Sequence, residues 1–202
     1  LRRDRSAVPL DCIDNHEFPH ALRNPFVETP AAWVDNLWLA VMRGSTYFPF
    51  TLQPESLEDW QAKTMRAIME FSRRYADKIF VPRGKMILGH PGKGEIYGFL
   101  LPSEERSWCL LRNPLPLPQR FKFNATELAG HSVKSAIQFY PDFRHQADNV
   151  IVLGAHEVKV FTFEKNEVKP LFEHPFQVID EELFFPASTL FNAEIRPDVA
   201  PT

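Results

Sequence analysis

The heptapeptide Asp14-Asn15-His16-Glu17-Phe18-Pro19-His20 sets two carboxylates and two histidines within seven positions. Asp14 and His16 can pair as an acid/base couple, because imidazole titrates near neutrality and a neighbouring carboxylate shifts it further. With Glu17 they can also hydrogen-bond the hydroxyls of a ligand. A third outcome is a polar loop that caps the helix after it, or folds back on itself through aspartate and asparagine turns. His16 and His20 stand four apart, a spacing that suits zinc on a helix. Phe18-Pro19 breaks helical geometry between them, so no metal site is expected.

The elements around this loop decide where it sits. Residues 8–13 form a short apolar run containing Asp11, compatible with a buried parallel strand that ends at Asp14. After a loop over residues 15–28, Thr29-Pro30 supplies an N-cap and a proline for the first helical position. Residues 31–43 are apolar almost all round, predicting a helix buried on more than one side, and Gly44 ends it. Residues 46–52 read as another strand. Ser56 and Asp59 then open a second helix, with Trp60, Thr64, Ala67, Ile68, Phe71 and Tyr75 as its core-facing stripe.

Beyond residue 82 the pattern changes to short strands at 95–101, 107–112, 119–124, 135–140, 149–153 and 157–164, punctuated by Asn113-Pro114, Pro141-Asp142, Gly154-Ala155 and Lys165-Asn166. An antiparallel sandwich is the expected outcome. Residues 157–164 alternate only partly, as a strand covered near a domain contact does. A final strand and a tail are expected over residues 172–202. At the head of this region, Gly89, Gly92 and Gly94 with Pro91 let the chain turn sharply before residues 95–101, where Tyr97 and Phe99 share a face. A phosphate-cradling loop needs a strand before it and a helix after it; here a helix is expected before and strands after.

Composition narrows the classes. The 202 residues are 44% hydrophobic and 24% charged, with a formal net charge of −3, which lacks the basic signature of a nucleic-acid binder. Eighteen prolines and eighteen phenylalanines suit rigid turns and pleated core faces. Cys12 and Cys109 have no redox or metal spacing and read as two buried thiols. The longest wholly apolar run, residues 37–42, is far short of the roughly 20 residues a membrane span needs, and no membrane partner is expected. No motif calls for a cofactor.

Two sets of motifs carry a family resemblance. Gly89-His90-Pro91-Gly92-Lys93-Gly94-Glu95-Ile96-Tyr97-Gly98, followed by Leu111-Arg112-Asn113-Pro114, resembles the junction between barrel and C-terminal sandwich in α-galactosidase-like (melibiase-like) glycoside hydrolases. Arg43-Gly44-Ser45 and Pro54-Glu55-Ser56-Leu57 resemble the final barrel strand and helix of the same family. The likeness is closest over about residues 33–125. It implies an α/β part followed by an all-β part: residues 1–81 as the last β/α units of an incomplete (β/α)8 barrel, which needs about 250 residues in full, and residues 82–202 as an antiparallel β-sandwich accessory domain.

The activity implied is retaining hydrolysis of an α-linked glycoside, in which two carboxylates about 5 Å apart act on the anomeric carbon. In that family both come from earlier barrel strands, so neither maps onto this sequence, and the isolated chain is expected to lack them. The resemblance makes a carbohydrate the substrate and an upstream barrel segment the structural partner, with Asp14, His16 and Glu17 as the substrate-side loop. Secretion or a periplasmic location follows only if the whole protein carries a leader. Two other classes stay open: a non-catalytic carbohydrate-binding or structural module, which needs an exposed aromatic platform, and a protein-interaction domain docking through the first helix. Arg43 reads as a helix-dipole partner or a carboxylate clamp. His131, His145, His156 and His174 read as surface or turn residues. Trp33, Trp38 and Trp60 lie on apolar helix stripes as core, and Trp108 lies in the strand region.

Overall fold

The computed structural model describes residues 30–44, 55, 57–75, 84–104, 106–141, 144–146, 149–166, 177–179 and 182–184. The expected strands at 8–13 and 46–52 lie outside these residues.

Helix α1 spans Pro30–Met42 and begins on the proline, whose missing N–H costs nothing in the first turn. Gly44 follows it at φ 79°, the left-handed conformation expected of a helix-ending glycine. Nine of its residues are buried, from Trp33 to Met42, which matches the apolar surround of its sequence. Helix α2 spans Asp59–Arg74. Its N-cap is Glu58, not a capping box built on Ser56: the Glu58 N–H donates to Gln61 Oε1 at 2.9 Å. Thr64, Ile68 and Phe71 are buried and Trp60, Ala67 and Tyr75 half-buried, so the stripe read from helical spacing is core.

A six-stranded, wholly antiparallel sheet forms the centre, in the order β1-β2-β3-β8-β5-β6. Its strands are β1 Lys85–Leu88, β2 Tyr97–Leu101, β3 Arg106–Arg112, β5 Ser135–Tyr140, β6 Arg144–His145 and β8 Val158–Glu164. Strands β4 (Gln119–Lys122) and β7 (Val150–Leu153) pair as a separate two-stranded sheet. A short helix α3, Ala125–Ala129, is capped by Asn124. The expected final strand is instead a hairpin, β9 Gln177–Ile179 with β10 Glu182–Phe184.

The central sheet is buried on both faces. On one face Phe99, Leu101, Trp108, Leu110, Val158 and Val160 join the side chains of α1 and α2 in one core. On the other, Leu100, Cys109, Leu111, Phe161 and Phe163 pack with Phe123, Ile151 and Leu153 of the β4–β7 layer. The parity of β3 and β8 is therefore strict, yet both parities are apolar, which is why alternation was only partial in the sequence. Each fully buried large side chain contributes about 1.5–3 kcal/mol, and the aromatic contacts are dense: Phe71 meets Trp38, Trp108 and Phe139 at centroid distances of 5.0–5.2 Å.

Candidate functional site

Asp14, His16 and Glu17 lie outside the described residues, as do His20, Cys12 and His174. What the structure does set out is a framework of buried polar groups and the surfaces that framework leaves open.

The glycine-rich motif is the loop of the β1–β2 hairpin. The Gly89 N–H donates to the Ile96 carbonyl at 2.7 Å, and a 3-10 turn over Pro91–Lys93 ends at Gly94, φ 71°. His90 organises the turn: its N–H donates to Glu95 Oε2 at 2.8 Å, and its Nδ1 accepts from the Gly92 N–H at 3.1 Å. A strand, not a helix, precedes the glycines, and a second strand follows them. Among the described residues a strand, not a helix N-terminus, follows the glycines, so the loop lacks the arrangement that holds a phosphate.

Asn113, fully buried, joins this loop to two others. Its Nδ2 donates to the carbonyls of Leu117 (2.7 Å) and Gly154 (2.6 Å), and its Oδ1 accepts from the Leu115 N–H (2.9 Å) and from Gln119 Nε2 (2.5 Å). Gln119 Nε2 also reaches the Gly94 carbonyl at 3.1 Å. The Arg-Asn-Pro turn is thus a hub that uses both ends of one amide to hold three connections in place.

Asp35 performs a comparable task between layers. It projects from α1 into the sheet, where Tyr140 Oη donates to Oδ1 at 2.8 Å and the Val158 N–H to Oδ2 at 3.3 Å. Burial pushes its carboxyl up to about 7, against the two hydrogen bonds that favour the ionised form, and the Tyr140 hydroxyl is raised by burial and by Asp35. A carboxyl shifted toward neutrality is a feature of acid/base sites. Here it sits at a closed helix–sheet contact, which makes it a structural lock. Its signal in the sequence was a lone acid within an otherwise apolar helix.

One further pair looks catalytic on distance alone. Ser107 Oγ lies 2.9 Å from His131 Nε2, and His131 Nδ1 lies 3.0 Å from the Ser132 carbonyl. With Nδ1 protonated toward that carbonyl, Nε2 accepts from the serine, the order a nucleophile and base require. Ser107 is fully buried and also bonds within the β2–β3 turn through Ser103. No substrate reaches it, so the pair is a latch between β3 and the segment after α3. Sequence spacing did not reveal this role for His131. His156 is exposed in a turn, as expected, and Cys109 is a buried free thiol raised well above its ordinary value by burial. The Arg43 guanidinium lies over the Phe99 ring at 5.7 Å. Trp33, Trp38 and Trp108 are buried and Trp60 packs on the same core. Among the described residues no group of three His, Cys, Asp or Glu side chains could hold a metal, and no helix is long and apolar enough to cross a membrane.

One open feature of the described surface is a polar groove of about 580 Å3, where the end of β4 and the start of α3 face the start of β5. Lys122, Asn124, Glu127 and Lys134 line it with Gln146 and Asn149. Asn124 Oδ1 is occupied as the α3 cap, accepting from the Thr126 and Glu127 N–H groups.

Among solved structures, the chain is similar to a candidate alpha-galactosidase from Bacteroides fragilis NCTC 9343, with 13% identity and a TM-score of 0.51 over 70% of this chain and 30% of that one. A candidate alpha-galactosidase/melibiase from the same organism shares 16% identity at a TM-score of 0.48, over 68% of this chain and 29% of that one. Alpha-galactosidase I from Mortierella vinacea shares 13% at 0.46, over 71% and 38%. The chain thus spans about a third of the length of these proteins. No family model matches it, and no curated protein does. The similarity is one of fold, and it agrees with the resemblance read from the motifs.

Proposed function

We propose that this chain is the C-terminal part of a glycoside hydrolase acting on α-linked glycosides, with residues 1–81 closing a (β/α)8 barrel and residues 82–202 forming its accessory β-sandwich. The observation that carries the reading is the fold likeness at a TM-score of 0.51 to a candidate alpha-galactosidase, on a chain whose Gly89–Gly98 and Leu111–Pro114 motifs resemble that family in order and spacing. The burial of α1 and α2 against the sheet is compatible with it, since in this reading the sandwich covers the last barrel helices. In this reading Asp14, His16 and Glu17 lie at the C-terminal end of a barrel strand, where barrel active sites are built, and hydrogen-bond the sugar. The nucleophile and the acid/base carboxylate come from earlier strands.

The alternatives find less support. A carbohydrate-binding module needs an exposed aromatic platform, and the exposed large hydrophobics among the described residues are Leu115, Leu117 and Val152. A partner-docking helix needs an apolar face in solvent, and α1 buries nine of its thirteen residues within the chain.

The test is the whole reading frame, expressed and assayed on a panel of aryl α-glycosides beside residues 1–202 alone. Turnover by the full protein, with none by residues 1–202, is the expected result. A reading frame with no barrel-sized segment before Leu1, or a full protein inert on the whole panel, would end the proposal.

A further inference from the structure

We propose that the groove between β4, α3 and β5 binds an acidic saccharide, a sugar bearing a carboxylate. Its volume of about 580 Å3 falls within the roughly 300–1,000 Å3 of small-ligand clefts. Lys122 at the end of β4 and Lys134 before β5 are exposed and flank it, and neither has a carboxylate partner among the described residues. The chain as a whole is acidic, at −3, yet the groove's charged lining is two lysines against the single Glu127. Asn124 spends its Oδ1 on capping α3, which leaves its amide N–H groups to donate into the groove.

Neutral hexoses are commonly held by stacking on an exposed aromatic face together with hydrogen bonds. That means of binding is missing here. Phe123 is the one aromatic residue in the lining; it is 6% exposed and stacks on Phe163 at 6.1 Å. Affinity must then come from charge-assisted hydrogen bonds, which are roughly twice as strong as neutral ones and which two lysines supply to an anion. The anionic class follows from the groove itself. That the anion is a sugar acid rests on the hydrolase reading.

Titrating the full chain by NMR or calorimetry with D-galacturonate, D-galactose and acetate separates these elements. The expected result is saturable galacturonate binding, with shifts confined to the groove residues. Galactose and acetate should each bind at least about tenfold more weakly, and Lys122→Gln with Lys134→Gln should cost about tenfold, or about 1.4 kcal/mol. Rising salt should weaken binding in the parent and not in the double variant. Galactose matching galacturonate would overturn the charge argument, and acetate matching it would reduce the groove to a site for an adventitious ion only. No saturable binding up to tens of millimolar would refute the site outright. Both lysines are exposed, so the double variant folds, and a far-UV spectrum verifies this. The enzymatic panel is a separate readout: the groove can fail while the hydrolase reading stands, and the reverse.

Discussion

At the level of single residues, Asp35 and Asn113 carry consequences that can be measured. Asp35 is held near pKa 7 in the folded chain against an ordinary value of 3.8, so between about pH 4 and 7 the folded state retains a proton that the unfolded state has lost. The stability it contributes is full below that window and declines as pH rises through it, at up to about 1.4 kcal/mol per pH unit. Denaturant melts of the parent and of Asp35→Asn across pH 4–8 should show this slope in the parent and a flatter profile in the variant. Tyr140→Phe removes the donor that favours the ionised carboxylate, so the titration of Asp35, followed by NMR, should move upward. Asn113→Ala removes the hydrogen bonds of a fully buried amide to the Leu117 and Gly154 carbonyls, the Leu115 N–H and Gln119, and a loss of about 2 kcal/mol is expected, read as a lowered urea midpoint. Asn113→Asp should not rescue it, because a carboxylate facing the Leu117 and Gly154 carbonyls repels what the amide attracted. Asp14→Ala tests the proposed hydrolase as a whole protein. If Asp14 hydrogen-bonds the sugar in the transition state, kcat/KM falls about tenfold or more with the melting temperature unchanged; a lower melting temperature with normal kinetics would return Asp14, His16 and Glu17 to a structural role.

At the level of elements, the strands were legible because proline and glycine bracket them. Residues 135–140 match β5 residue for residue, and the other strands expected between residues 95 and 164 match within two residues at each end. What escaped were elements whose signals are short or indirect. Strand β1 has four residues and precedes a loop that seemed to follow a helix; α3 has five, too few for helical periodicity to register. The N-cap of α2 on Glu58 escaped because a glutamate is a poor cap by type; here the cap's N–H is satisfied by Gln61. The contacts that define the framework were not legible at all. Asp35 meets Tyr140 across 105 positions and Ser107 meets His131 across 24, and no local pattern encodes such a meeting. The glycine loop gives this scale its own prediction. A Cβ on Gly89 would overlap the Glu95 side chain and the Ile96 carbonyl that its own N–H bonds, so Gly89→Ala must open the β1–β2 hairpin loop. Amide exchange should quicken in Lys85–Leu88 while the β3–β8 pair keeps its protection.

At the level of the whole molecule, two layers share one sheet, and the helices before residue 82 are not separable from it by packing: their side chains and those of β2, β3, β5 and β8 form one core. A division near residue 82 into barrel end and sandwich therefore predicts that cutting the chain there exposes Trp33, Trp38, Phe71 and Trp108 together. Residues 82–202 alone should bind a hydrophobic dye and self-associate, whereas the parent should not. The order of the strands adds a constraint of a different kind. Strand β8, at the middle of the sheet, is the last of its six strands to be synthesised, and it pairs in register with β3, whose Arg106 lies 58 positions before its partner Glu164. Until β8 leaves the ribosome, β3 and β5 each present an unpaired edge, although the helices and the β4–β7 strands that cover the sheet's two faces have already been made. Closure of such a long loop comes before its reward, so the pairing of β3 with β8 is expected to be a late step in the folding of this chain. In the cell that interval is when a chaperone would find it.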